Sequence, residues 1–384
     1  MTGRSGIRLS KASYGGIESC MSNQRAAKFY MDMAARAALR ARGDAEPNPL
    51  VGAVIVKGSE IIGIGHHCKF GGLHAEREAL KNARDNGFDV SGSVVYCTLE
   101  PCCHHGKQPP CCEALIEAGV AEVVYARCDP AEVSGGGHAI LEAAGIRCRL
   151  DESSVLAVSI SDPFVHGVRE GLPWVVAKWA QTIDGKIATS SGASQWISNE
   201  RSRASVHRMR ARMDAVGVGM GTVLADDPML TARGVRRVRR SAVRVVFDTH
   251  GRLPSESKLA QTAGAYQTIV CSNHPELIAA AGVRTLECPL MGGRLDLLEA
   301  LRLLYSECGI SNILIEAGPT LLGSLLDQDL INEAVVHVAP GVMGDDGAKS
   351  AASGRVCSSL DQMKRFKLGR VRRVGDDVHL HYRR

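Results

Sequence analysis

The chain has 384 residues and a net charge of +5, with 45% hydrophobic and 23% charged residues; this excludes wholesale disorder and provides core material for two domains. No stretch approaches the roughly 20 apolar residues of a membrane span, and residues 1–22 hold no apolar run of signal-peptide length, so they read as a flexible extension of a cytoplasmic protein. Thirteen cysteines, an odd number with several beside prolines and histidines, fit a reducing compartment better than a disulfide scaffold.

From Asn23, RAAKFYMDMAARAALRARG repeats apolar residues at helical spacing and ends in glycine, which predicts a helix broken by Pro47-Asn48-Pro49. VGAVIVKGSEIIGIGHH reads as two strands about a Lys57-Gly58-Ser59 turn. HAEREALKNARDNG is the next helix, with His74 and Glu76 in its first turn. SVVYCTLEP, CCEALIEAG and EVVYARCDP then alternate strand, helix and strand, as in a layered α/β domain over residues 23–165. Glycine, charge and proline in His166 to Pro173 mark a linker over 166–173. A second α/β domain, 174–384, restarts at WVVAKWAQT and continues through AVGVGMGT, VRVVFDT, YQTIVCS, NILIEAG and AVVHVAP. VGDDVHLHYRR reads as a polar turn and a terminal strand. The arginine-rich run from Arg233 to Arg244 reads as an exposed loop, with a phosphate or nucleic-acid surface as the alternative.

The chemistry concentrates in His74-Ala75-Glu76, Pro101-Cys102 and Pro110-Cys111. Zinc takes nitrogen and sulfur ligands, and a catalytic site uses three protein ligands with one position left for water. His74, Cys102 and Cys111 supply that set, and Glu76 stands two residues from the first ligand, as the H-x-E pattern of zinc nucleobase deaminases requires of its proton-transferring acid. A structural zinc site would use four ligands and need no such acid. The usual P-C-x-x-C is replaced here by PCCHHGKQPPCC, and each thiol has a neighbouring cysteine, Cys103 or Cys112.

PNPLVGAVIV, HAEREAL and TLEPCCHHGKQPPCCEAL, in that order, resemble the bifunctional deaminase/reductases of riboflavin biosynthesis. The resemblance implies a cytidine-deaminase-like three-layer domain with one Zn2+ per chain, held by His74, Cys102 and Cys111. It favours Cys102 over Cys103 and Cys111 over Cys112, assigns Glu76 as the catalytic proton carrier, and makes Asn48 a hydrogen-bond partner of the substrate ring. His104, His105 and Lys107 are candidates for its phosphate or solvent-facing loop residues. AKWAQTIDGKIA, GASQWIS, GVGMGTVLADDPMLTAR and LIEAGPTLLGSLL resemble the same family's reductase, a domain related in fold to dihydrofolate reductase. GVGMGT alone is weak, being followed by LADDP rather than by a helix, whereas Glu316 to Thr320 brings a strand to a glycine and a proline at a helix start suited to phosphate.

By this resemblance Gln181, Trp196, Thr222, Asp226, Thr249, Gly318, Pro319, Thr320, Leu321, Leu322, Gly323 and Ser324 surround NADPH. Lys178, Ser194, Arg210, Leu230, Arg233 and Glu316 face the substrate. Both arginines suit a ribose phosphate, and Lys178 is favoured over Asp184 for orienting the sugar. The implied partner is a phosphorylated pyrimidine, with neither nucleic acid nor membrane involved and a homo-oligomeric state, dimer or tetramer. Two rival readings are a nucleoside or tRNA deaminase and a nonenzymatic zinc protein that binds nucleic acid. The long PCCHHGKQPPC loop and the phosphate turn at Gly318 weigh against the former, and the latter predicts a strong salt-dependent affinity for nucleic acid and no need for Glu76.

Overall fold

A computed structural model describes residues 23–384; the expectation of a flexible extension over 1–22 lies outside the described residues. The chain forms two compact units that divide after Glu170. Residues 166–170 of the expected linker are the end of a helix, Asp162–Glu170.

In the first unit α1 (Asn23–Ala38), β1 (Gly52–Lys57), β2 (Glu60–His66), α2 (Ala75–Asp85), β3 (Val94–Cys97), α3 (Cys111–Glu117), β4 (Glu122–Tyr125), α4 (Gly137–Ala143), β5 (Arg147–Leu150), α5 (Val155–Ser159) and α6 (Asp162–Glu170) follow in order. The sheet order is β2-β1-β3-β4-β5. β1 is antiparallel to both its neighbours, and β3, β4 and β5 run parallel. Alternate residues of a strand face opposite sides, and both sides are apolar here. Ala53, Ile55, Val95 and Val123 pack with Ala79 and Leu80 of α2 and Leu115 of α3, while Val54 and Val56 meet Tyr30 and Ala34 of α1. Helices therefore cover both faces, giving three layers. Gly65 permits the close approach of α2, because a Cβ there would lie 2.2 Å from the Ala79 amide nitrogen; this seats α2 on the hairpin.

The second unit contains β6 (Trp174–Gln181), β7 (Lys186–Ala188), α7 (Glu200–Arg210), β8 (Ala215–Gly219), α8 (Met220–Asp226), β9 (Val243–Phe247), α9 (Lys258–Gln261), β10 (Thr268–Ser272), β11 (Val283–Glu287), β12 (Leu290–Met291), β13 (Arg294–Leu295), α10 (Leu297–Ser306), β14 (Asn312–Ile315), α11 (Pro319–Asp327), β15 (Glu333–Val338), β16 (Lys349–Ser350), β17 (Lys367–Val374) and β18 (Asp377–Arg383). Its nine-stranded sheet has the order β11-β10-β9-β8-β14-β6-β15-β18-β17. The strands from β11 to β15 are parallel, and β18 and β17 continue antiparallel. One face packs Val175, Val245, Ile313 and Ile315 against Leu301, Leu304, Leu322 and Leu325; the other packs Val176, Val216, Val246 and Leu314 against Met220, Val223 and Leu259.

Two expectations change. GVGMGT does lead into a helix, α8, because Met220 and Val223 reach the core one turn apart and Gly219 provides an extended start. The arginine run is not wholly an exposed loop: Arg240 pairs with Asp214, and Arg244, fully buried on β9, donates to Thr262, Thr268 and two backbone carbonyls. Burial lowers the Arg244 guanidinium to about 10.

A second buried polar group lies between α7 and the β15–β18 pair. His337 stacks on His379 with ring centroids 3.6 Å apart and planes 4° from parallel. Ser202 Oγ donates to Asp377 and therefore accepts from His379 Nε2, whereas neither His337 nitrogen has a partner. Burial first, then Lys178, depresses His337 to about 2, and burial with His381 depresses His379 to about 4. Both rings are neutral in the fold, whereas the unfolded chain takes up protons below pH ~6.5. Stability is thus full above that pH and declines as pH falls toward the folded values. His337→Phe is expected to make the loss of unfolding free energy between pH 7.5 and 5.5 smaller by about 1.4 kcal/mol. Denaturant titrations at the two pH values check this, and an unchanged loss would contradict it.

Candidate active sites

His74 is the N-cap of α2 and Cys111 the first residue of α3, while Cys102 lies in the preceding loop. The structure brings one ligand atom from each within 4.8 Å of the others. His74 Nδ1 is 3.4 Å from both the Cys102 and the Cys111 sulfur. The Cys111 amide, at the start of α3, points at Cys102 Sγ from 3.4 Å, the contact expected to favour a thiolate. Hydrogen bonding from the Cys111 thiol and then, against burial, from His74 lowers the Cys102 thiol. Two sulfurs and one imidazole nitrogen suit zinc and leave a coordination position open.

The neighbouring cysteines point elsewhere. Cys103 Sγ donates to Gly135 O at 2.8 Å, and Cys112 Sγ to Pro101 O at 3.4 Å. Gly137 makes the Pro101–Cys102 backbone placement possible, since a Cβ on it would lie 1.9 Å from Pro101 O. Glu76 is buried on the first turn of α2, with Oε2 3.4 Å from Cys111 Sγ. Burial, with the Cys102 charge beside it, raises its carboxyl to about 7.

A cleft of about 390 Å³ opens over Glu76, with Asn48, His104 and Lys107 among its lining residues. His67, missed in the sequence, orients Asn48: its Nδ1 lies 2.9 Å from Leu73 O, an acceptor, and its Nε2 lies 3.1 Å from Asn48 Nδ2. Nδ1 must then carry the proton, Asn48 donates to Nε2, and its Oδ1 is left for a ring N–H. Burial lowers His67, in keeping with the neutral ring. Only its place one residue beyond β2 could have flagged it. Lys107 Nζ sits 3.8 Å over the Phe70 ring and His105 pairs with Glu113.

In the second unit the expected residues gather at the carboxyl ends of β6, β8, β9 and β14, where parallel sheets bind ligands. One cleft, about 730 Å³, is lined by Thr222, Asp226, Thr249, Gly318, Thr320 and Ser324 among others. Gly318 is the N-cap of α11 and Pro319 its first residue, with no side chain capping the free amides. A neighbouring cleft of about 510 Å³ is lined by Lys178, Trp196, Arg210, Leu230, Arg233 and Glu316 among others. Ser194, Thr222, Asp226 and Gly318 belong to both.

Three expected positions, Gln181, Leu322 and Gly323, line neither cleft. Leu322 packs into the core, and Gly323 abuts Ser353, whose carbonyl oxygen would be 1.9 Å from a Cβ. Gln181 accepts from Trp179 Nε1 at 2.7 Å and lines neither cleft. Arg210 is held side-on by Glu316 at 2.6 and 2.8 Å and donates to Thr231 O, so its charge is already matched. Burial works to raise Glu316, but Arg210 holds its carboxyl below the usual range. Burial lowers the Lys178 ammonium, offset in part by Glu316. Arg233 carries no carboxylate among the described residues, leaving it the freer grip for a phosphate.

The folds and sites define a zinc-dependent deaminase domain followed by a reductase domain. The pattern of the cytidine and deoxycytidylate deaminase zinc-binding region matches residues 24–127, and that of the RibD C-terminal domain matches residues 173–380. Riboflavin biosynthesis protein RibD of Escherichia coli is 38% identical over 370 residues, covering 92% of this chain and 98% of that protein. The Actinobacillus pleuropneumoniae RibD is 38% identical over 359 residues, covering 92% and 94%. A solved Thermotoga maritima structure, named diaminohydroxyphosphoribosylaminopyrimidine deaminase/5-amino-6-(5-phosphoribosylamino)uracil reductase, superposes with a TM-score of 0.83 at 33% identity, covering 94% of this chain and 99% of that one. Acinetobacter baumannii RibD (form 1) gives 0.82 at 34% identity, with coverage of 94% and 99%. The chain belongs to the RibD family of bifunctional deaminase/reductases of riboflavin biosynthesis.

Cys102→Ser and Cys111→Ser are expected to lose zinc, whereas Cys103→Ser and Cys112→Ser keep one ion per chain. Metal analysis of the dialysed proteins decides, and zinc loss from either of the latter pair would contradict the assigned ligands.

Proposed function

We propose that the chain deaminates 2,5-diamino-6-(ribosylamino)-4(3H)-pyrimidinone 5′-phosphate. It then reduces the ribosyl group with NADPH, giving 5-amino-6-(ribitylamino)uracil 5′-phosphate. The observation that carries this reading is the convergence of His74, Cys102 and Cys111 within 4.8 Å, with the Glu76 carboxylate beside them on a chain whose second unit has two connected clefts. The reading includes a cytosolic homo-oligomer that engages neither nucleic acid nor membrane.

Bound to those three residues, zinc supplies Lewis-acid activation of water. Glu76 takes up the proton the water releases and returns it to the departing nitrogen, a task suited to a carboxyl raised to about 7. Asn48, turned by His67, holds the ring so that its amine-bearing carbon faces the site.

In the second unit NADPH supplies a hydride when bound. Ser194 and Thr222, common to both clefts, line the place where donor and acceptor must meet in near-attack contact. Lys178 holds a sugar hydroxyl, and Arg233 grips the phosphate. Glu316 keeps Arg210 in place beside them.

Glu76→Gln is expected to slow ammonia release by about 10²–10⁴-fold while retaining one zinc and full NADPH oxidation on the deaminated intermediate. Loss of both activities in a folded variant would contradict independent sites, and undiminished ammonia release would contradict the role of Glu76. Arg233→Ala is expected to raise the reductase KM about tenfold or more for the phosphorylated substrate and to leave the KM of its dephosphorylated form unchanged. Equal effects on both forms would remove Arg233 from the phosphate.

A further inference from the structure

The larger cleft of the second unit contains three basic side chains with no assigned task, Arg252, Arg294 and Lys349. They differ in what already surrounds them. Arg252 Nε lies 3.8 Å from Asp248, whose carboxylate also accepts from the His250 and Arg252 amides. Its charge therefore has a local counterpart. Lys349 extends from β16, which pairs with β7 at Ala188, and β7 contributes Ile187, a residue common to both clefts. It therefore stands on the side where the clefts meet.

Arg294 has neither feature. It is exposed on β13, its Nη1 lies 3.4 Å from Ser324 Oγ, and no carboxylate is within ion-pair distance among the described residues. Gly354 lets the guanidinium approach that loop, since a Cβ there would lie 3.3 Å from Nη1. An unmatched planar guanidinium beside a hydroxyl, at the wall of a cleft, is the donor set that phosphate oxygens select.

Position narrows which phosphate this is. Hydride transfer must occur where the clefts share Ile187, Ser194, Thr222, Asp226 and Gly318, so the nicotinamide lies at that end. The start of α11 takes the pyrophosphate. Ser324 stands six residues further along the helix, about 9 Å at 1.5 Å per residue, and Ser324 and Arg294 line the larger cleft alone. That is the end for the adenosine. We propose that Arg294, with Ser324, binds the 2′-phosphate of the adenosine ribose and sets the preference for NADPH over NADH. The proposal rests on reading this cleft as the dinucleotide site.

Calorimetric titration of the full chain compares two ligand pairs that differ by the 2′-phosphate alone: NADP⁺ with NAD⁺, and 2′,5′-ADP with AMP. Wild type is expected to favour the 2′-phosphorylated member of each pair. Arg294→Ala should weaken NADP⁺ and 2′,5′-ADP about tenfold or more and leave NAD⁺ and AMP within about twofold, with Arg294→Lys intermediate. Arg294 is exposed, and NAD⁺ affinity reports on the integrity of the cleft in each variant. Equal weakening of both members would make Arg294 a pyrophosphate or packing residue and overturn the proposal, as would unchanged affinities throughout. Wild type that binds neither dinucleotide would overturn the reading of the cleft itself, and the proposal with it.

Discussion

Everything chemical in the first unit depends on one convergence: a nitrogen from the cap of α2 and two sulfurs at the approach to α3 lie within 4.8 Å. Loops alone would hold such a cluster poorly. Here α2 is pressed onto β2 by Gly65, and the Pro101–Cys102 backbone is pressed against α4 by Gly137. The Cys111 amide then serves Cys102 Sγ, so the helix start that delivers one ligand also orients the other. Glu76 follows from the same placement, because two residues beyond the cap puts it in the buried first turn, beside the ligands. A carboxylate in that low-dielectric position gains proton affinity from its surroundings.

The second unit answers a different demand. Hydride transfer needs a donor and an acceptor in contact, and the carboxyl ends of neighbouring parallel strands create two clefts with a common wall. The Arg210–Glu316 pair illustrates how charge is organised there. A bidentate pair with little exposure to solvent is costly to leave half-made, and it fixes two residues from distant parts of the sequence at the edge of the smaller cleft. Burial lowers the Lys178 ammonium first, and the pair then acts on it in opposite directions, Glu316 raising it and Arg210 lowering it.

Much of this was legible in the sequence because the chemistry is local. His74, Glu76, Cys102 and Cys111 lie in short blocks whose spacing reports their task, and strands with apolar residues on both faces announce a sheet covered on both sides. What stayed hidden depends on contacts between distant segments. Cys102 and Cys103 cannot be told apart by composition, yet one faces His74 and the other a backbone carbonyl. His67 acquires meaning only through Leu73 and Asn48. Arg210 resembles a phosphate ligand until Glu316 is placed against it. The edge strands β5 and β17 are hidden in the sequence because exposed, charged segments lack the apolar alternation of inner strands. α8 is faint in the sequence because two core contacts one turn apart, Met220 and Val223, make a weak signal.

The most direct test is a two-stage assay of the purified, zinc-loaded chain with the diaminopyrimidinone ribotide, following ammonia and nicotinamide absorbance in one sample. Ammonia release before any cofactor is present, followed by oxidation of one NADPH per ammonia once it is added, is the predicted result. Ammonia without oxidation would contradict the reductase assignment, and the absence of both signals would contradict the account as a whole.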